Sequence, residues 1–287
     1  MTLSLNNLTF IIVTFKSEHI IHECIKSLPK NSKIIVVDNS NNQEFKRNLE
    51  EKYPTIIVIV QENSGMGAAN NKGIVLCETD YAFVMNPDVK LHNNTLQEMI
   101  NFSSNNNDYC ILAPISDDAK YPNYKTMFKN TINNKLDYLN VDSVDGFAML
   151  LNKSKFKDNL YFDENFFLYL ENDDLCLRKK KENHNIYILK NAKINHLGGK
   201  SPSTLYKKEI EYSRNWHWMW SKFYFNKKHY GYLKAFIRTF PTMITSIIKF
   251  FYYFITFNKL KREIYRMRFL GLLNAMLGKS SWFRPQV

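Results

Sequence analysis

Four short runs rich in β-branched and aromatic residues recur through the first third of the chain, LTFIIVTF, KIIVV, IIVIV and YAFVM, with amphipathic stretches between them. This is the pattern of βα units feeding a mostly parallel sheet. The runs IIVV and IIVIV lack strict polar and apolar alternation, as strands buried on both faces do. The spacing predicts strands over 8–15, 33–37, 56–60 and 81–85, and a helix over 17–28 with Ser17 as its N-cap. Further on it predicts a strand over 144–151, a long helix over 164–181 and a strand over 186–194. Residues 101–140, rich in Asn, Asp, Lys and Pro, read as loops around one strand at 110–113. The fold class that follows is α/β, a doubly wound sheet with its ligand site outside the carboxyl ends of the strands.

Charge divides the chain. Of 287 residues, the first 204 carry 23 Lys+Arg against 24 Asp+Glu, whereas the last 83 carry 16 against 3. That second stretch also holds 22 of the 42 aromatic residues, and helices dominate its pattern. The organisation expected is a neutral body over 1–204 and a basic, aromatic helical region over 205–287. A uniformly basic nucleic-acid coat is excluded. The opening MTLSLNNLTFIIVTF lacks a basic n-region and reads as a first strand, not a secretory signal. Cys24, Cys77, Cys110 and Cys176 form no CxxC, so neither a zinc site nor a disulfide framework is indicated, and reduced thiols in a cytoplasmic protein are expected. The most apolar window, 236–257, contains Arg238, Pro241 and Lys249. A cation near the centre of a membrane span costs roughly 2.5–3.5 kcal/mol, which disfavours spanning.

Three polar clusters stand at strand ends. Asp38 closes IIVVDNS, where a carboxylate can accept from a nucleotide base or ribose, or simply cap a turn. Asn86-Pro87-Asp88 follows YAFVM, a position suited either to Mg²⁺ or Mn²⁺, which prefer oxygen ligands, or to a β-turn. In YLENDDLCLRKKK, Glu171, Asp174 and Arg178 share one helical face and Asp173 points about 200° from Glu171. Such a run is either a solvated face or a source of general bases, and the apolar lead-in FDENFFLYL would bury its start. His196, after the last predicted strand, can serve as a metal ligand beside Asp88 or as a structural histidine. ENSGMGAANNKG lacks the third glycine of a dinucleotide fingerprint, because Asn70 stands there, but Gly65 and Gly67 allow close backbone approach to a ligand.

In order, IIVTFKSEHIIHECIKSL, IIVVDNS, ENSGMGAANNKGI, FVMNPDV, VDGFAMLLNKSKF, FDENFFLYLENDDLCLR and INHLGG resemble the family 2 glycosyltransferases of the rhamnosyltransferase-like group over residues 8–204. The resemblance implies a GT-A fold, a nucleoside-diphosphate sugar donor and Mg²⁺ or Mn²⁺. It implies nucleotide contacts at Thr14 and Asp38, donor contacts at Asn63, Gly65 and Asn70, and Asn86 with Asp88 in the place of the DxD-type metal motif. It further implies Asp88 as a metal ligand, His196 as the third metal-side residue, and Gly146 in the segment lining the sugar and acceptor pocket. The activity implied is inverting transfer of rhamnose or another hexose to a hydroxyl of a glycan, lipid-linked, in cell-surface polysaccharide biosynthesis. One position departs. The family's acidic motif is commonly Glu-Asp-x-Asp with its second residue as the base, and here it reads Glu171-Asn172-Asp173-Asp174. Asn172 cannot take a proton, so the base is sought among Glu171, Asp173 and Asp174, or the chain is a catalytically impaired relative.

The basic region either lies on an anionic membrane, with Lys234, Arg238 and Lys249 on a narrow cationic stripe, or packs as an ordinary helical subdomain. Membrane docking would put the protein on the inner face of the cell membrane, beside lipid-linked acceptors. The competing class is a nucleic-acid or protein-binding module using the interleaved basic and aromatic residues of 212–232. Carboxylates at the strand ends speak against nucleic acid, since a phosphate-binding surface wants cations there.

Overall fold

All seven residues of strand β1 (Leu8–Thr14) are buried, because helices cover both faces of the sheet to which it is central. Phe10 and Ile12 point into one core and Ile11 and Val13 into the other, the period-two alternation of a strand. The computed structural model describes residues 2–118, 120–126, 136–157, 160–196 and 206–285. These fall into two compact units, Met1–Asp163 with Asn172–Ser203, and Glu164–Glu171 with Thr204–Val287. The boundary expected at residue 204, the Leu197–Ser201 part of INHLGGKS and residues 127–135 of the expected loop lie outside the described residues.

In the first unit the chain runs β1, α1 (Ile21–Lys26), β2 (Lys33–Asp38), α2 (Gln43–Lys52), β3 (Ile56–Val60), α3 (Met66–Leu76), β4 (Tyr81–Met85), β5 (Val89–Leu91), α4 (Thr95–Asn105) and β6 (Tyr109–Ser116). It continues through β7 (Tyr124–Lys125), β8 (Tyr138–Asn140), β9 (Ser143–Val144), β10 (Ala148–Asn152), α5 (Glu171–Lys181) and β11 (Asn185–His196). The nine-stranded sheet has the order β3-β2-β1-β4-β10-β6-β11-β5, with β8 beside β11. It is mostly parallel, as expected: β10, β5 and β8 run against the other six strands. The order reverses between β1 and β4, which opens a crevice beyond their carboxyl ends. Helices α1, α2 and α4 pack on one face, and α3 with the Leu175–Cys176 turn of α5 on the other.

Several sequence expectations change. Of the stretch read as loops, residues 101–105 form the end of α4 and 138–140 form β8. The helix expected over 17–28 is confined to α1, whose N-cap position falls at Ile20 and not at the expected Ser17, because Ser17 Oγ donates to the Phe15 carbonyl at 3.0 Å. The strand expected over 144–151 is broken at residues 145–147 into β9 and β10, which pair in different sheets. The helix expected over 164–181 begins only at Glu171. Tyr169 and Leu170 take φ values of 71° and 67°, a left-handed pair that no α-helix accommodates. The segment before them forms an aromatic strap in the second unit. Phe166 meets Tyr224 edge-on at 4.9 Å, Phe167 lies 4.4 Å from the His217 ring, and Ser221 Oγ donates to the Leu168 carbonyl at 2.8 Å. Burial of two Phe side chains, each contributing roughly 1.5–3 kcal/mol, offsets the backbone cost.

The second unit also contains three long helices, α6 (Lys207–Tyr230), α7 (Tyr232–Ile255) and α8 (Lys259–Met276). Trp216, Met219, Trp220 and Phe223 of α6 pack with Ala235 of α7 and Met267, Leu272 and Ala275 of α8. Helix α7 turns Ala235, Thr239 and Ser246 inward. Its other side presents Leu233, Ile237, Phe240, Ile244, Ile248, Phe251 and Ile255, every one at least 39% exposed and spaced three or four residues apart. The cationic stripe expected on this helix is partly engaged within the unit. Arg238 donates to Asn226 Oδ1 and lies over the Tyr230 ring, and Lys249 donates to the Tyr265 hydroxyl. No helix among the described residues is long and apolar enough to cross a membrane.

His217 is fully buried in this unit. Its Nε2 sits 2.7 Å from the Phe283 carbonyl, which only accepts, so Nε2 carries the proton and Nδ1 accepts from Ser281 Oγ at 2.9 Å. Burial, reinforced by Arg284, holds its pKa down near about 3 from an ordinary 6.5, although the Phe283 carbonyl pulls the other way. Between those values the unfolded chain binds a proton that the folded chain does not. The stabilisation is therefore complete above pH 6.5 and declines towards pH 3, by about 1.4 kcal/mol per pH unit. Denaturation midpoints of His217→Gln should be flatter across this window than those of the wild type; parallel curves would contradict the assignment.

Candidate active site

The crevice beyond β1, β2 and β4 is built from strand ends. Asp38, last in β2, is buried, and both its oxygens are engaged. Thr14 Oγ1 from β1 donates to Oδ1 at 3.1 Å, Ser40 Oγ donates to the same oxygen at 2.6 Å, and the Asn42 amide donates to Oδ2 at 3.0 Å. The carboxylate thus fixes the turn after β2, the structural use that its sequence also suggested, and holds Thr14 against it. Asn39 extends this network. Its Nδ2 donates to the Gly65 carbonyl at 3.1 Å, and its Oδ1 accepts from Gln61 Nε2 at 2.8 Å. Neither Asn39 nor Gln61 was singled out by sequence, because Asn and Gln beside a turn carry no distinguishing pattern.

Gly65 caps α3 at φ 93°, a conformation in which a side chain would be strained, and Asn63 Oδ1 accepts its amide at 3.2 Å. Asn70, one turn into α3, is buried with its Oδ1 unpartnered among the described residues. The structure thereby brings Asn63 and Gly65 together with the Asp38 turn through Asn39.

Beyond β4, Asn86 and Val89 close a turn through the Val89 amide and Asn86 carbonyl at 3.2 Å, and the Asn86 amide donates to the Phe147 carbonyl at 2.9 Å. Asp88 is 3% exposed and its Oδ1 has no hydrogen-bond partner among the described residues. His196 Nε2 lies 3.5 Å from that oxygen. The two meet because β5 pairs antiparallel with β11, which places His196 opposite Val89. The His196 ring stacks on Phe147 with centroids 3.9 Å apart. A buried carboxylate oxygen with an unfilled valence and a neighbouring imidazole suit a hard divalent ion that takes its remaining ligands from phosphate and water. Among the described residues no group of three or more His, Cys, Asp or Glu is placed to hold a metal ion.

The acidic start of α5 is divided. Glu171 is buried and belongs to the second unit, whereas Asn172, Asp173 and Asp174 belong to the first. Lys125 Nζ bridges both oxygens of Asp173 at 2.8 and 2.7 Å, and Ser143 Oγ donates to it at 2.5 Å. Asp174 is fully buried and receives Arg178 Nε at 2.9 Å, the i, i+4 pair expected from the sequence. Arg178 also donates to the Tyr161 carbonyl, which ties this helix to the preceding loop. Asn172 Nδ2 donates to the Val144 carbonyl at 2.8 Å, and its Cβ lies 3.2 Å from where a side chain on Gly146 would begin. Gly146 thus sits against the first turn of α5. Lys125, Ser143 and Asp145 were not identified from sequence. The available signal was a carboxylate directly before Gly146 in VDGFAML.

The four cysteines are free and buried. Burial pushes Cys24, Cys110 and Cys176 up to about 12, so these thiols are not nucleophiles at neutral pH.

Residues 9–160 match the family model described as Glycosyl transferase family 2. A curated relative, the low-salt glycan biosynthesis hexosyltransferase Agl10 of Haloferax volcanii, is 26% identical over 199 residues, covering 63% of this chain and 64% of that protein. The chain therefore spans slightly under two thirds of that relative. Among solved structures, GalNAc-T7 with UDP, GalNAc and Mn²⁺ has a TM-score of 0.57 at 13% identity over 78% of this chain and 52% of its own. At that identity the likeness is one of fold.

Proposed function

The chain belongs to glycosyl transferase family 2, and from that premise we propose that it transfers a hexose, with rhamnose as one candidate, from a nucleoside-diphosphate sugar to a hydroxyl of a lipid-linked glycan in cell-surface polysaccharide synthesis. The observation that carries this reading is the buried, unsatisfied Asp88 oxygen beside His196, at the edge of a crevice formed by strand carboxyl ends. Asp88 and His196 would hold Mg²⁺ or Mn²⁺; when bound, such an ion supplies Lewis-acid neutralisation of the departing diphosphate. The turn held by Asp38 and Thr14, with Asn63, Gly65 and Asn70, receives the nucleotide and sugar. Asn86 and Gly146 complete the walls, and Gly146 brings the first turn of α5 to the sugar side. An aspartate carboxylate of this rim accepts the acceptor's proton as its oxygen attacks the anomeric carbon from the side opposite the diphosphate, which inverts configuration.

The exposed stripe on α7 supports the membrane part of the reading. The helix has 24 residues and is thus about 36 Å long. An apolar face of that length, in a region with 16 Lys+Arg against 3 Asp+Glu, fits an anionic lipid surface in the headgroup plane. Lys234, Lys259 and Lys261 are exposed and available to lipid phosphates. The protein then works peripherally on the inner face of the cell membrane.

The test is a panel of nucleoside-diphosphate sugars with Mn²⁺, scored for transfer and hydrolysis, alongside sedimentation with anionic vesicles. Turnover of one donor and salt-sensitive vesicle binding are expected. Nucleotide binding without turnover of any donor would favour an impaired relative. Tight binding of single-stranded nucleic acid without vesicle binding would remove the membrane reading.

A further inference from the structure

The family's usual base position holds Asn172, whose amide is committed to the Val144 carbonyl. The neighbouring aspartates are committed too. Asp173 is ion-paired with Lys125 and accepts from Ser143 Oγ, and Asp174 is buried against Arg178. The hydrogen bond from Asn172 reaches the residue just before Asp145, and Gly146, just after it, is the residue against which Asn172 packs. Asp145 therefore stands on the corner that Asn172 clasps. Its backbone is fixed by an amide hydrogen bond to the Asn123 carbonyl at 2.9 Å. Its half-buried carboxylate, among the described residues, takes no hydrogen bond and no ion pair.

We propose that Asp145 is the general base for the acceptor hydroxyl, supplying from the corner between β9 and β10 the carboxylate that position 172 lacks. This rests on the transfer reading above. In the step, the acceptor oxygen bonds to the anomeric carbon, and its proton passes to an Asp145 oxygen. The bond from that carbon to the diphosphate oxygen breaks, with the electron pair leaving on the nucleoside diphosphate. Asp145 then returns the proton to solvent.

The surroundings suit the task. Burial raises the carboxyl's pKa, Lys125 of β7 lowers it, Asp173 of α5 raises it and His196 of β11 lowers it, with a net upward shift. A carboxylate whose pKa is raised is a stronger base. Asp173, held by Lys125, acts in this arrangement as a fixed negative neighbour.

The experiment compares wild type, Asp145→Asn, Asp145→Ala and Asp145→Asn with Asn172→Asp, using whichever donor the wild type turns over. Asp145→Asn should lose roughly 10²- to 10⁴-fold in kcat with the donor KM unchanged. The acid limb of the wild-type pH profile should disappear with it. Added formate should restore at least tenfold activity to Asp145→Ala, and Asn172→Asp should partly rescue Asp145→Asn. Formate rescue is a readout that a merely structural role would not produce. If Asp145→Asn keeps more than a third of wild-type kcat, or Asp145→Ala is inactive and unresponsive to formate, the assignment is overturned while the transfer reading stands. If the wild type turns over no donor, the transfer reading fails and the assignment with it.

Discussion

Replacing Asp88 by Asn should lower donor turnover by at least about 100-fold, equivalent to about 2.7 kcal/mol of transition-state stabilisation, while leaving the fold as stable as before or more so. The two effects have opposite signs for one physical reason. Asp88 is 3% exposed and its Oδ1 meets no donor among the described residues, with His196 at 3.5 Å. A buried polar oxygen left in that condition costs free energy in the folded protein, and the isosteric amide replaces the carboxyl group without leaving a cavity. On the proposed reading, the same unpartnered oxygen is what a divalent ion requires. Thermal melting separates the contributions. With a nucleoside diphosphate present, Mn²⁺ should raise the wild-type midpoint through mass action, and the shift should vanish in Asp88→Asn. Wild-type turnover in the variant, or an undiminished Mn²⁺ shift, would remove Asp88 from the site.

The second large effect concerns stability alone. Gly271 of α8 lies against α6 so closely that a methyl group there would stand 2.2 Å from the Trp216 carbonyl oxygen and 2.9 Å from its carbon. Both are backbone atoms in the middle of a helix, so the obstruction cannot be relieved by a rotamer change. The two helices must separate, and Trp216, Met219, Leu272 and Ala275 must repack. Alanine's better helix propensity returns only about 1 kcal/mol. Overpacking typically costs 1–3 kcal/mol, and backbone opposition puts Gly271→Ala at the upper end, about 3 kcal/mol net. The readout is specific, because all four tryptophans, Trp216, Trp218, Trp220 and Trp282, lie in the second unit. Urea unfolding followed by tryptophan fluorescence should show a clearly lower midpoint. A midpoint within about 0.5 kcal/mol of wild type would mean that the helices are not held this closely.

The parallel half of the sheet was legible because β1, β2, β3 and β4 are short apolar runs, although only β1, β2 and β4 are buried on both faces as expected, and β3, at the sheet edge, leaves Ile57 59% exposed. Asp38 and Asp88 were legible for a related reason: a carboxylate at the end of such a run or within three residues of it stands at the carboxyl edge of the sheet. What brings His196 to Asp88 was not legible. Their pairing depends on β5, three residues long, lying antiparallel to the end of β11, and nothing in the 107 intervening residues announces that register. The helix expected over 164–181 failed at Tyr169 and Leu170, where aromatic packing overrides local propensity. Asp145 was hidden because β9 and β10 read as one strand. A residue on a corner between two sheets looks, in sequence, like one more position along a single run.

The aromatic strap of residues Glu164–Glu171 bears on how such a chain can be inherited. Its Phe166, Phe167 and Tyr169 have their partners on α6, at Tyr224, His217 and Trp218. A recombination event that exchanged only the segment after residue 204 would leave these rings facing an unfamiliar helix. The C-terminal helices therefore share their unit with eight residues that come earlier in the chain, Glu164–Glu171. Exchange among relatives should carry both pieces or neither, and drift at Tyr224 or Trp218 should be answered by drift at Phe166 or Tyr169.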